Sequence, residues 1–289
     1  MANDFCVSLI NNNSVVSSIS CDKCIKIVDF ISHFPNSEQI VAVKINNTIN
    51  SLDSYLDYNA TVEPIYLNSK EGSEIYRRTL CFVLAAAAKK LFPSKRLIVG
   101  HSICHSYYYT IFGQNEILQE EITLLKNEIL RIIEQKLPIE SKTIPYSDAI
   151  NLFSKQNMND SVAKLNYICS PFVKINSIEN FSDLFFHPLL INSSQLHTFD
   201  LIKYENGMLL RFPKTSTPFV LQNFIDEPKL FKTYKHYNDW GERLNVTSVS
   251  DLNRLIINRK INDFIDISET HQQKCIADIA EQIIKSKKI

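Results

Sequence analysis

The sequence predicts a two-domain α+β protein with a helical tail. Three observations carry that prediction. The 289 residues and 45% hydrophobic content are enough for two separate cores. The first seventy residues read as short alternating strands around one helix. After them come two long helical stretches, followed by a run of short strands.

Phe5-Cys6-Val7-Ser8-Leu9 alternates apolar and polar residues, Asn11-Asn12-Asn13 turns the chain, and Val15 to Ile19 resumes the alternation. Ile25, Val28, Ile31 and Phe34 recur at helical spacing from an Asp22 start, and Pro35 closes that element. Ile40 to Ile45 is a strand, Asn46-Asn47 a second hairpin turn, and Thr61 to Tyr66 a last strand. The order β-β-α-β-β-β suits a β-grasp domain over residues 1–68.

A helix follows from about Ser73 to Leu91, rich in alanine on one side and stopped by Pro93. Leu97 to Gly100 and Tyr107 to Ile111 read as strands around a loop from His101 to Ser106. Ile117, Ile122, Leu125, Ile129, Ile132 and Ile133 form one face of a long amphipathic helix ending at Pro138. A shorter helix spans Tyr146 to Lys155. Strands are predicted at Tyr167-Ile168-Cys169, Pro171 to Val173, Leu196 to Phe199 and Gly207 to Phe212, all within a second domain over 69–225. The tail, 226–289, carries helices near Leu230 to Leu244, Val249 to Arg259 and Ser268 to Ser286.

Composition excludes several classes of function. Lys plus Arg equals Asp plus Glu at 31 each, so no overall field attracts nucleic acid or an anionic membrane, and any RNA contact must be local. The longest strongly apolar run, Leu80 to Ala88, is too short to span a bilayer, and the N-terminus lacks a basic leader. A cytoplasmic protein is expected, with no membrane partner. Seven scattered cysteines imply reduced thiols. Cys21 and Cys24 form a Cys-x-x-Cys without a second ligand pair nearby, so a structural metal is not expected there. With five glycines and no Gly-x-x-x-x-Gly-Lys-Ser/Thr, the chain has no P-loop of its own.

Val41 to Asn47, Tyr76-Arg77-Arg78-Thr79-Leu80 and Lys89-Lys90-Leu91-Phe92-Pro93 resemble the start of threonyl-tRNA synthetases, a TGS domain followed by the N2 editing domain. Leu137 to Glu140, Asp148 to Phe153 and Phe181 to Leu184 continue the same order, so the resemblance covers roughly residues 5–215. Gly100 to Ile103 with Tyr107-Tyr108-Tyr109, Leu210 to Pro213, Pro228 to Phe231, and the helix holding Tyr237, Trp240 and Leu244 are similar to the region preceding the kinase in uridine-kinase-like proteins. That family joins a TGS domain and an editing-like domain to a nucleoside-kinase domain. The final helix, Ile276 to Lys288, falls where the family enters its first kinase strand. The resemblance thus implies a kinase domain in cis as partner, with ATP and Mg needed only there and no cofactor in this chain.

In the synthetases, editing uses two histidines on the helix corresponding to Ser73 to Leu91, and a cysteine and a histidine from the segment corresponding to Asp183 to Leu190. Matching residue by residue puts Arg78 and Phe82 at the first pair and Phe185 and Leu189 at the second. Phenylalanine and leucine carry no proton and arginine is permanently charged, so the resemblance implies that hydrolytic editing is lost. Arg78, His101, His105, Tyr107, Tyr109, His187 and Arg211 are then the candidates for lining the surviving cleft, suited to a nucleoside, a nucleotide or RNA.

His101 and His105 have the spacing of a helical metal pair, but on a loop that spacing carries little metric information, and a ligand-contacting or hydrogen-bonded role is expected. Cys104 between them reads as a packed residue more readily than as a nucleophile. Lys89, Lys90, Lys95 and Arg96 form the clearest basic cluster and are candidate RNA contacts, against the commoner reading of a solvated helix end. Trp240, the sole tryptophan, reads as core or as a docking surface. The expected function is a non-catalytic accessory module of a nucleoside kinase. The alternatives are an aminoacyl-tRNA deacylase working through His101 and His105, and an RNA-binding platform.

Overall fold

The structure is a computed structural model that describes residues 5–11, 14–21, 24–29, 31–168, 170–184 and 187–286. The tip of the first hairpin at Asn12-Asn13, the expected helix start at Asp22, and Cys169, Phe185 and Lys288 lie outside these residues. The chain divides into two compact units, one of residues 1–153 and 170–230, the other of residues 154–169 and 231–289. The expected boundary near residue 68 does not separate units in this division. The five-stranded sheet described next packs on the helix that follows it, and Ile191 joins its core.

In the first unit, β1 (Phe5–Asn11) and β2 (Ser14–Cys21) form an antiparallel hairpin. With β4 (Ile40–Ile45), β5 (Thr48–Asn50) and β7 (Ala60–Tyr66) they build a mixed sheet of order β2-β1-β7-β4-β5. The central pair, β1 and β7, is parallel. Phe5, Val7 and Leu9 point inward on β1 and Ala60 and Val62 on β7, so the alternation read from sequence is the burial pattern of the sheet. Asn46 and Asn47 both adopt positive φ between β4 and β5, as a two-residue hairpin turn requires.

The described residues of the helix expected over Asp22 to Phe34 are not α-helical. Ile25–Lys26 (β3) pairs with Tyr55–Leu56 (β6), and only 3-10 turns follow, at Ile27–Asp29 and Ile31–His33. The amides of Ile27 and Val28 donate to Ser54 and Leu52, both at 3.0 Å, instead of to a preceding turn. Four β-branched residues in this stretch lower its helix preference, and burial of Ile27 and Phe34 decides the outcome.

Helix α1 (Lys70–Leu91) is capped by Ser69, whose hydroxyl accepts from the Gly72 amide at 3.0 Å, and ends just before Pro93. Its partner α2 (Gln119–Glu134) buries Ile122, Leu125, Ile129 and Ile132 along one stripe. At the start of α2 the Glu121 carboxylate accepts from the Leu118 amide at 2.8 Å. Two antiparallel sheets complete the unit. One has the order β13-β14-β9-β8, from β8 (Leu97–Ile103), β9 (Ser106–Ile111), β13 (Asp200–Tyr204) and β14 (Gly207–Arg211). The other has the order β10-β11-β12, from Glu140–Pro145, Phe172–Ile178 and Phe181–Leu184, and α3 (Tyr146–Lys155) follows its first strand. The strand expected at 196–199 is irregular chain, tied down by a buried Leu196.

In the second unit, α4 (Asn159–Leu165) occupies part of the region read as strands, and Tyr167-Ile168 forms turn rather than strand. Helices α5 (Pro228–Arg243), α6 (Val249–Ile257) and α7 (Ile261–Ser286) match the expected tail, with α7 starting earlier than Ser268. Ser248 and Asp251 form a reciprocal cap on α6. Among the described residues no helix is long and apolar enough to cross a membrane.

Candidate ligand-binding cleft

The stretch from His101 to Ser106, read as a loop, is almost entirely strand. His101 lies in a bulged part of β8, and the hairpin closes through Cys104 and His105 alone, at φ 53° and 54°. Left-handed backbone at two non-glycine residues needs support. It comes from the chain after β14, where Oε2 of Glu227 accepts from the Cys104 amide at 2.9 Å, and from β9, whose Ser106 hydroxyl donates to the Cys104 carbonyl at 3.2 Å. Beside this contact the Tyr204 phenol donates to Asp226 at 2.6 Å, and its ring meets Phe224 edge-on. The segment from Phe212 to Glu227 is thereby pinned over the hairpin tip.

The space between tip and segment is a cleft of about 220 Å³ lined by Cys104, His105, Arg211, Phe212, Lys214, Gln222, Asn223, Ile225 and Glu227. That is below the ~300 Å³ at which drug-sized pockets begin, so it fits one nucleobase or nucleoside moiety rather than a dinucleotide. Arg211 is held by the Gln222 carbonyl, by Asp200 at 3.8 Å and by the Phe224 ring, which makes it a fixed cation in the wall. Burial pushes the Cys104 thiol up, and the Glu227 and Asp226 carboxylates push it the same way. Such a thiol stays protonated at neutral pH and is no nucleophile.

Phe212 is the wall this cleft shares with α1. The Arg77 guanidinium lies 4.5 Å over its ring, the Tyr107 ring packs against it at 4.9 Å, and the Arg77 Nε has no hydrogen-bond partner among the described residues. Burial pushes the phenols of Tyr107 and Tyr109 up, and it pushes the Cys81 thiol beside Tyr109 up to about 11. All three groups are therefore neutral at pH 7, and none is a ready base.

Of the expected ligand residues, the structure brings His105 and Arg211 to the cleft wall and Tyr107 just behind it. Tyr109 is buried, Arg78 pairs with Glu74 at 2.9 Å on α1, and His101 and His187 are exposed. The positions matched to the editing residues do not form an open pocket where they are described. Phe82 is fully buried against Phe181, with rings 5.4 Å apart, and Leu189 is buried beside Leu190, whose amide donates to the Thr79 hydroxyl at 2.9 Å. Tyr76 closes the same face, its phenol bridging the Thr198 amide and carbonyl at 2.8 Å each. The surviving cavity thus lies at the hairpin tip and not between these side chains. The physical reason is that the apolar side chains here pack against one another and leave no space for water.

Two of the four residues of the basic cluster are ion-paired and the other two have neutral partners. Lys90 pairs with Glu128 at 2.9 Å, Lys95 contacts Glu121, Lys89 caps the Pro93 carbonyl at 3.1 Å, and Arg96 lies over the Phe112 ring. Cys21 is buried while Cys24 is exposed, so that pair does not share a face. Sequence reading missed Lys214, Gln222, Asn223 and Glu227 because they lie on irregular chain, where no periodicity marks them.

No family model matches the chain. It is 30% identical over 208 residues to a threonine–tRNA ligase of Lawsonia intracellularis, covering 68% of this chain and 31% of that protein. It is 28% identical over 163 residues to a threonine–tRNA ligase of Francisella tularensis subsp. novicida, covering 56% of this chain and 26% of that protein. The chain thus spans about a third or less of the curated relatives it matches. These relatives lend no support to the expected nucleoside-kinase kinship. The mixed sheets, the long packed helices and these alignments together make the chain similar to part of a threonine–tRNA ligase.

Proposed function

We propose that this chain is a non-hydrolytic RNA-binding module that holds the 3′-terminal nucleoside of a tRNA-like acceptor end in the cleft at the β8–β9 tip. Its ligase relatives are named for acting on tRNA, which is what brings this substrate class forward. One observation carries the reading. Of the positions matched to proton-moving residues, Arg78 is ion-paired and Phe82 and Leu189 are buried, while a separate cleft sized for one nucleoside offers Lys214, Arg211, two amides and aromatic faces. Lys214 and Arg211 suit a phosphate, Phe212 and His105 a base face, and Gln222 and Asn223 its polar edge. The protonated thiols and phenols around it offer no general base, and in this reading His105 has a base-stacking role and Glu227 a structural one at the hairpin tip. The accessory role in a nucleoside kinase rests on a resemblance that the alignments do not support and is not adopted.

The test is fluorescence anisotropy of a labelled acceptor minihelix with the full chain, alongside deacylation of serine-charged threonine tRNA. Saturable binding is expected, weakened about fivefold by Lys214→Ala, as for loss of one charge-assisted contact of ~1 kcal/mol. Deacylation should stay at the uncatalysed rate. Hydrolysis that requires the protein and vanishes in His101→Ala or His105→Ala would overturn the proposal, as would undiminished affinity in a Lys214→Ala/His105→Ala double variant.

A further inference from the structure

The second unit contains a cluster of donor atoms unrelated to the cleft. On α7, His271 and Cys275 are four residues apart and so share one helix face. On α5, His236 and Trp240 have the same spacing. The Trp240 indole lies flat on the His271 ring at 3.9 Å and 10°, and the His236 ring stacks on the other histidine at 5.7 Å and 26°. One ligand atom from each of His236, His271 and Cys275 lies within 4.8 Å of the others.

We propose that His236, His271 and Cys275 form a binding site for a divalent transition ion of the zinc class. Two imidazoles and a thiolate are the borderline-soft donor set that zinc takes. The distances agree with this. Bonds of about 2.05 Å to nitrogen and about 2.3 Å to sulfur at a tetrahedral angle put the two donors roughly 3.6 Å apart. Cys275 Sγ and His271 Nε2 are 3.7 Å apart. His236 needs only a side-chain rotation to close the third edge, because its ring is exposed on α5. Trp240 fixes the plane of the His271 ring, the orienting role that neighbours of metal-bound imidazoles generally fill. Binding releases the Cys275 thiol proton to solvent and leaves the fourth tetrahedral position to water. A groove lined by Trp240, Asp266, Thr270 and Lys274 borders His271 and gives the ion a route in.

The site tests directly on the full chain, stripped with chelator and titrated with cobalt(II), then with zinc. The expected result is one cobalt per chain with a thiolate-to-cobalt charge-transfer band, displaced by zinc, and a saturable change in the fluorescence of the sole tryptophan. Cys275→Ser should abolish the band, and His236→Ala should weaken zinc binding roughly tenfold or more, since each ligand bond is a large share of site affinity. Circular dichroism should show both variants still helical, because both side chains lie at least partly in solvent. Cys6→Ser, at an exposed strand position, should change nothing. No charge-transfer band at excess cobalt, a band that persists in Cys275→Ser, or unchanged zinc affinity in His236→Ala would each overturn the assignment.

Discussion

The Cys104 amide hydrogen-bonds to the Glu227 carboxylate across 123 residues of sequence, at 2.9 Å. This contact holds the lid segment of the cleft to the hairpin tip and supplies the acceptor for a strained turn. Glu227→Ala should cost about 0.5–1.5 kcal/mol, the range for an ordinary hydrogen bond, because the carboxylate is exposed to solvent. Urea unfolding measures the loss. Limited proteolysis should show earlier cleavage between residues 212 and 227 than in the wild type.

The turn itself separates stability from binding. His105 sits at φ 54°, where glycine has no steric penalty. His105→Gly should raise stability by up to about 1 kcal/mol while weakening acceptor-end binding, because the imidazole leaves the cleft wall. Thermal unfolding and anisotropy on the same protein read the two effects.

Restoring histidine at the matched helix positions should not restore hydrolysis. Phe82 is fully buried in an apolar packing with Phe181. Phe82→His removes that packing and buries an unpartnered imidazole, at a cost of roughly 2–4 kcal/mol. A lower melting temperature with no gain in deacylation is the expected outcome of Arg78→His/Phe82→His.

Acid should weaken the anchoring of the start of α2 through Glu121. Burial alone would raise this carboxyl, but Lys95, the Leu118 amide and Gln114 outweigh it, and its value is lowered. A carboxyl lowered in the folded state contributes its full stability above its unfolded value, and loses it as pH falls through the folded value. The urea midpoint should therefore fall below the ordinary glutamate range. Glu121→Gln should be less stable than wild type by about 1–2 kcal/mol at pH 7, with the gap closing in acid.

Gly72 tests close packing at the start of α1. A Cβ there would stand 2.1 Å from the Tyr66 carbonyl oxygen. Although alanine is the better helix former by about 1 kcal/mol, Gly72→Ala should destabilise by roughly 2–3 kcal/mol, because the obstruction is backbone and not a movable side chain. Chemical denaturation gives the sign.

Sequence made the periodic elements legible. The alternation in Phe5 to Leu9 and the stripe from Ile122 to Ile132 match the buried faces, because in each case one face meets a core and the other meets water. It misled where periodicity and propensity disagreed: Ile25 to Phe34 has helical spacing, yet its amides bond to residues 52–54. It also placed His101 and His105 together, whereas the two-residue turn sends only His105 to the cleft.

Residue chemistry read along the chain was enough to show that it holds no Gly-x-x-x-x-Gly-Lys-Ser/Thr, and a resemblance led to the expectation that Arg78 and Phe82 stand where editing would need proton carriers. Tertiary structure alone decided where the remaining cavity lies, that Lys90 and Lys95 are already paired, and that His236 meets His271 and Cys275. The division has a physical cause. Local spacing encodes which face of an element is apolar, but contacts between distant segments depend on how those faces pack, and no local pattern records that.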